Sequence, residues 1–174
     1  MPLHPAITAI ASLGALALRP EVQLANDSIE VGLPPKELLE VFRARFADSP
    51  EDIIAIEENQ LVRRFAGSEG PFSFKTVEVV RYEDQAVTFE HLSGPFAECN
   101  ERFDMVATPT GSMLTHSGSF RLRGGLFTVP LAFGPVKKAF ETHVRGHFET
   151  LASEYPPALA SSEQAATPQP AVTG

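Results

Sequence analysis

From Phe72 to Arg123 the chain alternates apolar and polar residues through four consecutive segments, and from about Pro130 to Tyr155 the repeat lengthens to that of an amphipathic helix. A period of two gives a strand one buried and one wetted face; a period of 3.6 gives a helix one apolar stripe. The segments FSFKTVEVVRY, AVTFEHL, FAECNERFDMVA and SMLTHSGSFRLR are separated by the turn formers EDQ, SGP and TPTG, which reads as an antiparallel meander. Val136, Phe140, Val144, His147 or Phe148, and Leu151 form the stripe of the helix. A curved antiparallel β-sheet wrapped around this long C-terminal α-helix buries both apolar surfaces at once, and its concavity leaves an internal cavity. The expected class is α+β.

Parity assigns the inner face of each segment. In the third, Ala97, Cys99, Glu101, Phe103 and Met105 share one side, and Glu98, Asn100, Arg102 and Asp104 the other. In the fourth, Leu114, His116, Gly118, Phe120 and Leu122 go together. A turn over Pro109-Thr110 sets Phe103 opposite His116, Glu101 opposite Gly118 and Cys99 opposite Phe120. Ending the turn at Gly111 instead would shift the register and bury Ser117, Ser119 and Arg121 without partners. Folding back over Gly94 adds Val87, Phe89 and His91 to the inner face, and folding over Asp84-Gln85 adds Phe74, Thr76, Glu78, Val80 and Tyr82. The expected ligand-binding wall therefore draws Phe74, Tyr82, Phe89, Cys99, Phe103 and Phe120 from the sheet, and Phe140 and Val144 from the helix. It also carries the ionisable Glu78, His91, Glu101 and His116.

Upstream, DSIEVG (Asp27 to Gly32) is a short strand stopped by Pro34-Pro35, and KELLEVFRARF places Leu38, Leu39, Phe42 and Phe46 at helical spacing. ADSPED is a turn, and Asp52 to Asn59 and Gln60 to Gly67 are two further strands joined tightly at Glu58-Asn59. Residues 27–155 form the expected domain, residues 1–26 an N-terminal extension and residues 156–174 a disordered Ala/Pro/Ser/Gln-rich tail. The apolar run Ala6 to Leu18 has 13 residues, short of the roughly 20 that span a bilayer, so no integral membrane span is expected. Its leading MPLHP lacks Lys or Arg, unlike a secretory signal; the run reads as an arm or an element packed on the domain. A net charge of −8 with no basic cluster argues against nucleic acid as a partner. The single cysteine excludes an internal disulfide and fits a reducing, cytoplasmic setting.

Two carboxylates and two imidazoles on one lined face are either satisfied structural pairs or the polar anchors of a ligand site, since a lone buried carboxylate costs several kcal/mol. Glu78 falls opposite His91, and Glu101 lies diagonal to His116. Glu101 and His116 are the candidate catalytic pair, able to move protons on a bound carbonyl or enol. His143 and His147 stand i, i+4 as in a two-histidine metal face. No third ligand at matching spacing completes it, so one ring is expected at the core and the other in water, with no metal. No P-loop, dinucleotide fingerprint, G-x-S-x-G elbow or zinc ribbon is present, and no cofactor is expected. Cys99 lacks a basic neighbour and reads as a small core residue. Mid-helix Gly146 reads as a point of close approach between helix and sheet, and GGLFTVPLAFGP before the helix as a loop at the cavity mouth.

The stretches SIEVGLPPKELLEVF (28–42) and SFRLRGGLFTVPLAFGPVKKAFETHVRGHFETLASEY (119–155) carry a resemblance. In order and spacing the chain resembles the helix-grip proteins of the START/Bet v 1-like superfamily, nearest their bacterial polyketide cyclase/dehydrase and lipid-transport-like branch. It departs after Phe46, where members often carry a longer second helix and only ADSPED is available. The resemblance implies binding or transport of a hydrophobic small molecule such as a lipid, polyketide or isoprenoid. The alternatives are a cyclase, aromatase or dehydratase using cavity His and Glu, and an interaction module working through the N-terminal run.

Overall fold

The computed structural model describes residues 20–69 and 72–158. The apolar run Ala6 to Leu18 and all but the first three residues of the expected tail lie outside them. Eight strands form one antiparallel sheet in the order β1-β8-β7-β6-β5-β4-β3, with β2 also paired to β8. They are β1 (Val22–Gln23), β2 (Asp27–Val31), β3 (Ile53–Glu57), β4 (Gln60–Glu69), β5 (Phe72–Glu83), β6 (Ala86–Ser93), β7 (Phe96–Thr108) and β8 (Gly111–Leu122). Helix α1 spans Pro35–Ala47, and the long helix α2 spans Lys137–Glu154. This is the helix-grip arrangement, a sheet curled around α2. Among the described residues no helix is long and apolar enough to cross a membrane.

The register follows from burial. Phe103 faces His116, Glu101 faces Gly118 and Cys99 faces Phe120 across β7 and β8, and Glu78 faces His91 across β5 and β6. Parity fails at the start of β7. A bulge between Phe96 and Glu98 leaves Ala97 unpaired and turns Phe96 inward, where Ala97 was expected. Strand β1, within the expected extension, was not anticipated: Val22 pairs with Phe120, and the Leu24 amide donates to the Gly118 carbonyl at 2.9 Å. Gly111 closes the β7–β8 turn at φ 151°; a Cβ there would sit 2.0 Å from the Val31 carbonyl oxygen, so β2 can cross only over glycine.

Two apolar clusters share the interior. The larger joins α1 (Leu38, Leu39, Phe42) to Val80, Met105 and Leu114 of the sheet and to Val144, Phe148 and Leu151 of α2. The smaller gathers Val22, Leu24, Phe96, Cys99 and Phe120. Helix α1 starts with Pro35 in its first turn, where a missing N–H costs nothing, and places Glu37 early and Arg45 late along its dipole. In α2, Phe148 rather than His147 fills the stripe and is fully buried. The expected loop before α2 is instead helical in short pieces: a 3₁₀ turn (Gly125–Thr128), one turn at Val129–Leu131 and a wide turn at Ala132–Val136. Gly134 (φ −108°, ψ −105°) and Pro135 break these from α2, because proline has no N–H to continue the ladder. Nothing lies within 4 Å of a Cβ built on Gly146, so it marks no close approach to the sheet.

Candidate functional site

A cavity of about 480 Å³ lies between the concave sheet face and α2, capped by α1, within the size range of small-molecule sites. Phenylalanine is the commonest residue of its wall. Phe46 meets Phe89 at 5.1 Å and Phe65 at 6.0 Å, both edge-to-face; Phe89 meets Phe103 at 5.5 Å, and Phe103 meets Phe148 at 6.0 Å. Such tilted contacts hold rings rigidly without filling the space between sheet and helix.

The polar floor is one connected run. Thr76 Oγ1 donates to Glu78 Oε1, and that oxygen lies 3.3 Å from His91 Nδ1, outside hydrogen-bonding alignment. His91 Nε2 is 3.0 Å from Glu101 Oε1, and His116 Nε2 is 3.2 Å from Glu101 Oε2. The alternation that put Glu78, His91 and Glu101 on one face of neighbouring strands produces this contact, since opposed and diagonal residues lie within side-chain reach. Glu101 thus bridges both imidazoles, where the pairing pattern alone gave two separate pairs. Burial works to raise its pKa, but the hydrogen bonds from His116 and His91 and their charges overcome it and hold the carboxylate at about 2. Burial likewise works against a charged His91, yet the bond to Glu101 and the charges of Glu78 and Glu101 raise its pKa. Burial dominates at Glu78 and raises it.

Of the expected site residues, Phe74, Glu78, Phe89, His91, Glu101, Phe103, Phe140 and Val144 line the cavity together. His116 does not; only 2% exposed, it stands behind Glu101. Cys99 and Phe120 belong to the smaller apolar cluster, where burial pushes the thiol pKa up. Tyr82 is in the larger core, with the Arg43 guanidinium 4.4 Å above its ring.

Several lining residues escaped the parity argument because they come from other elements. Phe42 and Phe46 project from α1, and Phe96 enters through the bulge. Arg63 of β4 is a buried cation at the wall, bonded to the carbonyls of Phe46 and Arg64, 3.7 Å from Asp52 and 4.5 Å over Phe65. Its position opposite Glu78 was readable once β4 was paired to β5. His143 and His147 both line the cavity from α2, Nε2 to Nε2 3.1 Å, so neither ring takes the core position expected for one of them. Ligand atoms of His91, Cys99 and Glu101 come within 4.8 Å of one another, the one such group of three among the described residues. Glu101 is already bonded to both imidazoles there, and the thiol is held protonated; that group fits the proton-linked network better than a metal.

No protein-family model and no curated protein matches the chain. Solved structures do. TTHA0849 from Thermus thermophilus is 16% identical with a TM-score of 0.62, covering 77% of this chain and 95% of that one. The Zhui aromatase/cyclase from Streptomyces sp. R1128 is 10% identical, with a TM-score of 0.65 over 78% and 93%. The ginseng major latex-like protein 151 from Panax ginseng is 13% identical, with a TM-score of 0.55 over 80% and 99%. At these identities the likeness establishes the helix-grip fold.

Proposed function

We propose that the protein binds a hydrophobic small molecule (lipid, polyketide or isoprenoid-like) in the cavity, its apolar body among the phenylalanines and one polar end against Glu78, His91 and Glu101. The observation that carries this reading is the combination of a phenylalanine-rich wall with the clustered polar groups Glu78, His91 and Glu101 facing into about 480 Å³. Such convergence of a few polar groups in an apolar pocket fixes ligand orientation. The fold likeness to an aromatase/cyclase and to a latex-like protein is compatible with it, as an analogy of fold.

The test is native mass spectrometry of gently purified protein, followed by extraction of whatever is bound and titration of the emptied protein with an apolar dye. Stoichiometric occupancy or one-to-one dye binding is expected, and loss of both on Phe89→Arg in a folded variant. A folded protein that is empty and refuses apolar dyes overturns the reading and favours an interaction module.

A second reading, a cyclase or dehydratase-type enzyme, is favoured by the hydrogen-bonded run from His91 through Glu101 to His116, with Glu78 3.3 Å from the other nitrogen of His91. In it His91, not His116, would meet the substrate as acid, with Glu101 a positioning residue too weak a base at about 2 to take a proton itself. His91→Gln that still binds a turned-over substrate but no longer converts it would support this reading; equal conversion by the variant would end it.

A further inference from the structure

We propose that His143 and His147 are the protein ligands of a divalent transition-metal site at the cavity wall, with the remaining coordination positions open to the cavity. The two stand one helical turn apart on α2, their Nε2 atoms 3.1 Å apart and their rings crossed at 71°. A metal at about 2.0–2.1 Å from each nitrogen would see them at roughly 100°, between octahedral and tetrahedral angles. In the metal-free protein one Nε2 hydrogen occupies this contact. Binding moves that hydrogen to Nδ1 through solvent, a change of tautomer.

The surroundings favour a ligand role over a purely structural one. Both rings line the cavity, so an ion held between them would be reached by whatever occupies it. Imidazole pairs take Zn²⁺, Co²⁺, Ni²⁺ or Cu²⁺ rather than Mg²⁺ or Ca²⁺. Among the described residues no third His, Cys, Asp or Glu completes a set with them. Two protein ligands leave two or more positions open, as in sites that bind a reacting molecule rather than lock a fold. Phe74 stands edge-to-face on His143 at 6.4 Å, and Phe140 lines the same wall. Resting on the ligand-binding reading, the matching ligand has an apolar body and two neighbouring oxygens (a diol, hydroxy-ketone or 1,3-diketone) that chelate the ion.

The probe is the metal alone. Isothermal titration of the full chain with Zn²⁺ and with Ni²⁺ should give one site, weakened at least tenfold by His143→Ala and by His147→Ala. Saturation should raise the thermal midpoint by about 2–5 °C, since only the folded state holds both rings together. Neither ring belongs to the buried core, so the variants should melt like the parent without metal. The Co²⁺ complex should lack a thiolate charge-transfer band. Binding that survives both helix variants, or that Cys99→Ser or His4→Ala abolishes instead, overturns the proposal. Metal binding by a protein that takes up no apolar molecule would leave this site standing while the ligand reading fell.

Discussion

The floor beneath the cavity and its helix side each hold two imidazoles, His116 standing behind the lining, and their partners differ. On the floor His91 and His116 share one carboxylate, Glu101, at 3.0 and 3.2 Å. On α2, His143 and His147 face each other at 3.1 Å. Burial works against charge on His91 and on His147 alike, but the outcomes are opposite. Glu101 and Glu78 outweigh it and raise His91, whereas His143 and Arg45 add to it and lower His147. The same side chain is thus a proton holder on the sheet and a free base on the helix, and the difference lies in the neighbour rather than in exposure.

The comparison breaks most severely at Glu101. Glu101→Ala leaves two buried imidazoles without their acceptor and is expected to cost about 3–5 kcal/mol in chemical denaturation. A loss below about 1 kcal/mol would show that the bridge contributes little. Glu101→Gln keeps a hydrogen-bonding amide but no charge, so its cost should be smaller and its main effect should fall on the pH profile. In the parent, Glu101 contributes stability fully present above its ordinary 4.5 and lost as pH falls toward its folded value of about 2. His91, raised above 6.5, contributes stability fully present below 6.5 and lost as pH rises through its folded value. Glu78, also raised, contributes in the same sense as His91, from below 4.5. Denaturant midpoints should therefore fall on the acid side below pH 4.5, and Glu101→Gln should flatten that limb; an unchanged limb would sink the assignment.

Smaller effects sharpen the helix side. Gly146 lies between the two histidines, and open space surrounds its Cβ position. Gly146→Ala should raise stability by about 0.5–1 kcal/mol, read from the same midpoints, because alanine loses less backbone freedom in a helix. A destabilised variant would place α2 closer to the sheet than described. The finest test is NMR titration of the imidazole protons. His91 should titrate above the ordinary imidazole value and His147 below it. His143→Gln should move His147 upward by removing a like charge, with no change at His91; a His147 midpoint that stays put would mean His143 does not act on it.

Alternation along the chain was enough to assign the inner faces of β5 to β8 and the register that sets Glu78 against His91 and Phe103 against His116, because a strand's side chains alternate and burying the wrong set is costly. The 3.6-residue period likewise marked the long helix and its stripe, and the eight cavity-lining residues from Phe74 to Val144 followed from those two periods. Packing was needed to show that Glu101 serves two histidines at once, since a flexible carboxylate reaches diagonally as well as across and parity cannot rank the two. Packing also brought Phe42 and Phe46 from α1 and Arg63 from β4 to the wall, and turned Phe96 inward through a one-residue bulge that reverses parity without any mark in the local pattern. The spacing of His143 and His147 was plain in the chain, but which way that pair faced depended on how α2 rolls against the sheet. Phe148 and Val144, seated in the core, set that roll.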